Sequence, residues 1–207
     1  LLISEADRVA PAQKHREGLI GASLSLFQRQ GYAGTGLAEI LAESGAPRGS
    51  LYHYFPDGKE QIAEAALRQA AAATELRIRN AAKRIGNPPK FAIAYGNTVA
   101  ETMERSGFAR GCPVATVALE AWPASPKLTA ASRDAFAVWS AALADMLRDA
   151  GIPQPRAAEL SDFMIATMEG AMILARVRQS TAPVLQAAAQ IARVFETELT
   201  TKDTRHE

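Results

Sequence analysis

Residues 44–61 read SGAPRGSLYHYFPDGKEQ. Gly45 and Pro47 stand ahead of a short segment and FPDG follows it, so the punctuation isolates Pro47–Phe55 as a brief helix with Pro in its first turn. At 100° per residue, Leu51 and Phe55 point to one side of that helix, while Gly49 and His53 lie nearly opposite with Ser50 beside them. One face is therefore apolar, and the other is small and polar.

The flanking sequence supplies partners for the apolar face. Upstream, Ile20, Leu24 and Phe27 recur at i, i+4 and i+7 within Gln13–Gln30, and Gly31 ends that pattern. Leu37, Ile40 and Leu41 repeat the spacing in a second short helix that stops near Ser44-Gly45, with Thr35 or Gly36 placed to cap its start. Downstream, Lys59 to about Ile85 is rich in Ala, Glu, Leu and Arg, as a long helix is, until GNPP breaks it. Two short helices joined by a glycine-containing turn after a longer packing helix form the outline of a helix-turn-helix DNA reader.

The chemistry of the polar face suits that role. Gly49 permits close backbone approach, Ser50 and His53 offer hydrogen bonds, and Arg48 reaches a guanine edge or a phosphate. Tyr52 and Tyr54 carry hydroxyls for phosphates on either flank, and Lys59 sets a cation beside helix N–H groups that attract phosphate. The pattern also admits a plainer reading, in which a glycine turn joins two ordinary helices and the tyrosines are half-buried. Charge is a constraint on the DNA reading. Through Glu60 there are six Lys and Arg against seven Asp and Glu, so a DNA-reading unit has to gather its cations on one face.

The whole chain has 207 residues, 48% of them apolar, and a formal charge of +1. That is enough apolar surface for a sizeable core, and the charge total points to neither nucleic acid nor membrane. Cys112 is the only cysteine, which excludes an internal disulfide or a cysteine-rich zinc site and fits a reducing, cytoplasmic setting. LLISEADRVA places acids where a signal peptide needs an apolar core, and no apolar run reaches membrane-helix length, so no membrane partner is expected.

Beyond GNPP the pattern predicts helices over about 89–105, from near Gly111, over 125–150, 156–179 and 182–200, followed by the polar tail TKDTRHE. No stretch alternates like a strand, and the chain is expected to be all-α. The domain reading is an arm over 1–12, the helix-turn-helix domain over 13–60, a helical bundle over 61–201 and a tail over 202–207.

The stretch from His15 to Gln61, with LYHYF after a glycine turn, resembles the N-terminal DNA-binding domain of TetR-family transcriptional regulators. GAPRGSLYHYFPDGKEQ and GCPVATVALE at 111–120 are similar to the LmrA/YxaF-like branch of that family. The resemblance implies DNA contacts from Thr35, Arg48, Gly49, Ser50, Tyr52, His53, Tyr54 and Lys59, with Leu51 and Phe55 structural. It further implies that the C-terminal helices bind a small-molecule effector and form a homodimer, and that the partners are double-stranded operator DNA, that effector and a second copy of the chain.

The larger half offers Phe91, Tyr95, Met103, Phe108, Cys112, Trp122, Phe136, Trp139, Phe163, Met164, Met168 and Met172 as a large, adaptable pocket lining, any one of which also suits plain core packing. Trp122 and Trp139 are the leading candidates, because indole adds a donor to its stacking area. Cys112, with Arg110 its only near cation in sequence, reads as packing or pocket lining rather than a sensor thiol. The apolar CPVATVALE segment is a candidate pocket wall coupled to the long helix over 59–85. Ala166, Gly170, Ala171 and Ala175, with Ala187, Ala188 and Ala192, permit close approach of the last two long helices, either within one chain or across a four-helix dimer interface.

An enzyme is not expected. HExxH, GxSxG, GxGxxG and the P-loop are absent, and His15, His53 and His206 fall at a helix start, in the recognition helix and in the tail. Glu101, Glu120, Glu169, Asp145 and Asp162 lack the histidine partners of a metal or acid-base centre, so neither a catalytic residue nor a metal or other cofactor is predicted. The expected function is a repressor that binds a palindromic operator as a dimer and is released by a small hydrophobic or aromatic effector; a DNA-binding regulator with no effector, and a helical small-molecule binder with no DNA function, are the alternatives.

Overall fold

A computed structural model describes the backbone of residues 5–203 and the side chains of 13–200. Among the described residues there are nine helices: α1 Glu5–Gln30, α2 Leu37–Ser44, α3 Arg48–Tyr54, α4 Lys59–Ile85, α5 Pro88–Arg105, α6 Pro113–Ala121, α7 Pro126–Asp149, α8 Gln154–Arg178 and α9 Ala182–Asp203. The all-α expectation holds for those residues. The helical backbone begins at Glu5, so residues 5–12, read from sequence as an arm, continue α1 in this structure. The rest of the expected arm and most of the tail lie outside the described residues.

The chain forms two compact units. One runs through Ala70 and includes Pro113–Ala135; the other contains Ala71–Cys112 and the chain from Phe136 onward. The boundary between them falls inside α4 and inside α7.

In the first unit α1 packs on α2, α3 and α6. Its buried positions are Leu19, Ile20, Ala22, Ser23, Leu26 and Phe27, a spacing of i, i+1, i+3, i+4, i+7, i+8 that makes a broader stripe than Ile20, Leu24 and Phe27 alone. Leu24, expected at its centre, is half-buried at the flank. Ile40 from α2, Leu51 and Phe55 at α3, Ile62 and Leu67 from α4 and Val117 from α6 complete that core.

In the second unit α9 packs on α5 and α8. The α5 contact is close because Gly96 has no side chain: a Cβ there would stand 2.3 Å from the Ala188 Cβ. Arg156 near the start of α8 pairs with Glu198 near the end of α9, as antiparallel neighbours do. Ala171, Ala175, Ala188 and Ala192 are buried within the chain. Four of the seven small residues considered for a dimer interface therefore serve the subunit's own packing. What the last two helices leave outside is larger and apolar: Phe163, Ile173, Leu174 and Val177 on α8 and Leu185 on α9 are all exposed.

Candidate nucleic-acid interface

Local chemistry sets α3 apart from its neighbours. Gly45, at φ +63°, donates its N–H to Leu41 O and closes α2, a left-handed backbone that glycine adopts without steric cost. Ala46 is buried after it, and Pro47 enters α3 as its cap with no side-chain bond. At the far end Phe55 donates to Leu51 O at 2.8 Å and Gly58 N–H returns to Phe55 O at 2.9 Å, so α3 is held to seven residues.

With Leu51 and Phe55 buried, the opposite face is left to water. Arg48, Gly49, Tyr52 and His53 are exposed, Tyr52 to 54%, and Ser50 and Tyr54 are half-buried beside them. The His53 and Tyr54 rings meet edge to face at 4.8 Å, and nothing lies within 4 Å of where a Gly49 Cβ would project. Six of the eight DNA-contact candidates thus share one short helix.

The other two are placed differently. Thr35 is 1% exposed and its hydroxyl donates to Gly31 O at 2.7 Å, so its side chain fastens the α1–α2 turn from inside. Gly36 is the N-cap of α2 without a side-chain cap, and Glu39 reaches back to accept its N–H at 2.8 Å. That bond holds the Glu39 carboxyl below the usual range. Lys59, half-buried at the start of α4, carries its ammonium 4.2 Å over the Tyr32 ring. Burial lowers its pKa, opposed by the charges of Glu120 and Glu39.

The acidic excess of the sequence is partly absorbed inside the unit. Arg29 pairs with Glu43 at 2.5 Å, Glu39 serves the α2 cap, and Arg16 lies 5.7 Å over the Phe55 ring. Three further links come from residues that the sequence reading placed with the C-terminal helices. Ala33 N–H donates to Glu120 Oε2 at 2.5 Å, the Ser125 hydroxyl donates to Glu60 Oε1 at 2.5 Å, and Lys127 stands 3.7 Å from Asp57. Ser125 also accepts from Leu128 N–H, opening α7. The α6–α7 corner therefore braces the α1–α2 loop and the α3–α4 turn. Glu120 is 87 residues from Ala33 in sequence, beyond what helical spacing registers.

The effector-pocket candidates divide. Phe91 and Met103 are buried, and Phe91 stacks on half-buried Tyr95 with ring centroids 5.9 Å apart. Tyr95 is pushed up to about 12 by burial first, then by the Glu169 charge. Glu169 is itself raised by burial, and the Cys112 thiol donates to it. Tyr95, Cys112 and Glu169 therefore come together, and Glu169, weighed from sequence only as an acid of an enzyme, is the member the pocket reading missed. Phe108 is half-buried at φ +61°, Met164 and Met168 are core, and Met172 is half-buried.

The two leading tryptophans sit in opposite environments. Trp122 is 71% exposed, while Trp139 is buried with its Nε1–H donated to Ala71 O at 3.0 Å and half-buried Phe136 edge-on at 5.4 Å. Phe163 faces outward. A cavity of about 320 Å³ in the second unit lies elsewhere, between Arg79, Lys83, Asp145 and Asp149, and contains none of the twelve candidates. Among the described residues no cluster of His, Cys, Asp and Glu is arranged to hold a metal ion, and no helix is long and apolar enough to cross a membrane.

Comparison with known proteins agrees with the architecture. Residues 19–66 match the bacterial regulatory proteins of the tetR family, and residues 88–190 match the C-terminal domain of LmrA/YxaF-like transcriptional regulators. The HTH-type transcriptional regulator LmrA of Bacillus subtilis is 33% identical over 176 residues, covering 85% of this chain and 94% of its own. The uncharacterized HTH-type regulator YxaF of the same organism is 32% identical, covering 85% and 92%. The crystal structure of regulatory protein TetR from Rhodobacter sphaeroides superposes with a TM-score of 0.76 at 24% identity, over 86% of this chain and 96% of that one, which bears on the fold. With its N-terminal helices matching the tetR-family model and the whole chain this similar to LmrA, the protein is a DNA-binding transcriptional regulator and not an enzyme; the chain belongs to the TetR family, in its LmrA/YxaF-like branch.

Proposed function

We propose that the protein is a repressor that binds a palindromic operator as a homodimer and is released by a small hydrophobic or aromatic effector. The observation that carries the reading is the outer face of α3, where Arg48, Gly49, Tyr52 and His53 are exposed over a buried Leu51 and Phe55. Arg48 and His53 address base edges, Gly49 lets the helix backbone approach the groove floor, and Ser50, Tyr52, Tyr54 and Lys59 hold phosphates. Thr35 supports the surface from beneath by closing the α1–α2 turn.

One helix of seven residues reads few bases. Two copies related by a two-fold axis read half-sites about 34–36 Å apart on one face of DNA, which makes the operator an inverted repeat. The exposed apolar strip of Leu174, Val177 and their neighbours on α8, with Leu185 on α9, is the surface we assign to pairing with the second copy. The effector reading is supported in the second unit by Tyr95, stacked on buried Phe91 and brought together with Cys112 and Glu169. An effector acts on DNA affinity only through its preference for a dimer whose α3 helices are wrongly spaced; equal affinity for both arrangements shifts nothing.

The test is selection of operators from random duplex DNA, followed by affinity measurements at two salt concentrations for wild type, Arg48→Ala and Tyr52→Ala. An inverted repeat, bound with steep salt dependence and weakened by both substitutions, is the expected outcome. No enriched sequence, or binding indifferent to both substitutions, refutes reading through α3.

A further inference from the structure

Glu120 occupies an unusual seat. The carboxylate lies against the turn that ends α1, where a Gly31 Cβ would stand 2.2 Å from Oε1 and 3.3 Å from Oε2. Gly31 is at φ +80°, and the turn presents Ala33 N–H to Oε2 at 2.5 Å. A carboxylate at the C-terminal end of a helix faces the negative pole of the helix dipole, so the seat needs donors and a cation to be favourable. The turn supplies the amide, and Lys59 supplies the cation: its ammonium, held over Tyr32, lies within electrostatic reach of Glu120 and Glu39. The groups that face Lys59 thus come from the α1–α2 loop, α2 and α6.

We propose that Glu120 is a positioning residue for DNA binding, which steadies the α1–α2 loop through Ala33 and, by opposing the charge of Lys59 across the same turn, holds operator affinity below what the bare cation would give. This rests on the operator-reading role of Lys59. The two actions oppose each other. The hydrogen bond fixes the turn that carries Thr35 and starts α2, which favours binding. The charge competes with phosphate for Lys59, so that this lysine releases little counterion when the protein meets DNA.

Two substitutions separate the actions. Glu120→Gln keeps an oxygen for Ala33 N–H and removes the charge; Glu120→Ala removes both. Operator affinity is measured from about 50 to 200 mM salt, alongside thermal melts to confirm folding. Glu120→Gln should bind more tightly than wild type, with a log–log salt slope steeper by about one, as one additional neutralised phosphate requires. Glu120→Ala should bind about three- to tenfold more weakly than Glu120→Gln, from loss of the single hydrogen bond. In a Lys59→Met background Glu120→Gln should leave the slope unchanged, a result that a purely structural role for Glu120 does not produce. A wild-type slope in Glu120→Gln, or equal affinities for the Gln and Ala variants, overturns the inference while the operator reading stands. A wild type that binds no DNA refutes the operator reading and this inference with it.

Discussion

Gly31→Ala tests whether the end of α1 is built around glycine for two separable reasons. The first is backbone conformation. Gly31 sits at φ +80°, and an alanine in left-handed backbone costs roughly 1–2 kcal/mol. The second is space. A Cβ would be 2.2 Å from Glu120 Oε1, but that atom ends a flexible, exposed side chain, so the clash is relieved by Glu120 swinging out. The cost is then the Ala33 N–H bond, about 0.5–1.5 kcal/mol for one hydrogen bond at the surface. Together the substitution should destabilise by roughly 1.5–3.5 kcal/mol, which for a chain of this length is a melting shift of about 2–4 °C per kcal/mol. Urea unfolding followed by far-UV circular dichroism at fixed protein concentration measures it, since any dimerisation makes apparent stability concentration-dependent. The double-mutant cycle with Glu120→Ala is the decisive part. In that background the hydrogen bond is already gone, so Gly31→Ala should cost only the backbone share. A Gly31→Ala variant as stable as wild type refutes the conformational argument, and strict additivity in the cycle refutes the steric one.

Other positions give independent checks. Gly96→Ala presses a methyl against the short Ala188 side chain, 2.3 Å from its Cβ, and because neither group can rotate away, α5 and α9 must separate at about 1–3 kcal/mol; Gly96→Ala with Ala188→Gly should recover part of that loss in the same unfolding assay. Glu169 is raised by burial, so its folded form keeps a proton that the unfolded chain has already lost. Its contribution to stability falls as pH climbs from the ordinary glutamate range through the raised value; Glu169→Gln should remove that decline and show the same pH response as wild type at lower pH. Leu174→Glu with Val177→Glu places two charges in the exposed strip of α8, where Val177 is 78% exposed. Sedimentation should report monomer in place of dimer with the helical spectrum intact, and a retained dimer would move the interface elsewhere.

How much of this was legible in the chain depends on the range of the interaction. The brief helix at 48–54 and the end of α2 are written in local terms: Gly45, Pro47 and FPDG fix backbone angles by covalent structure, and Leu51 and Phe55 fix the buried side by period. The resemblance to the TetR family rests on the same compact run, which is why the family was readable from it. Helix extents along the chain followed from the same local signals to within a few residues at their ends, except that α1 runs back to Glu5 through residues read as an arm.

Side-chain partners across the chain were not readable, because periodicity says which face is apolar and nothing about which distant group meets it. Thr35 was expected to cap α2 or, by resemblance, to contact DNA, whereas its hydroxyl turns inward and donates to the Gly31 carbonyl. Trp139 looked like a ligand donor until its N–H met Ala71 O. Small residues on α8 and α9 looked like a dimer seam, yet four of them are buried within the chain because α9 packs on α5 and α8. Local sequence was enough for most of the helices, the apolar and polar sides of α3 and the family, since each is encoded within a few turns of backbone. That Glu120, Ser125 and Lys127 belong beside the α1–α2 loop and the α3–α4 turn emerged from the folded chain, because it depends on packing between segments far apart in sequence.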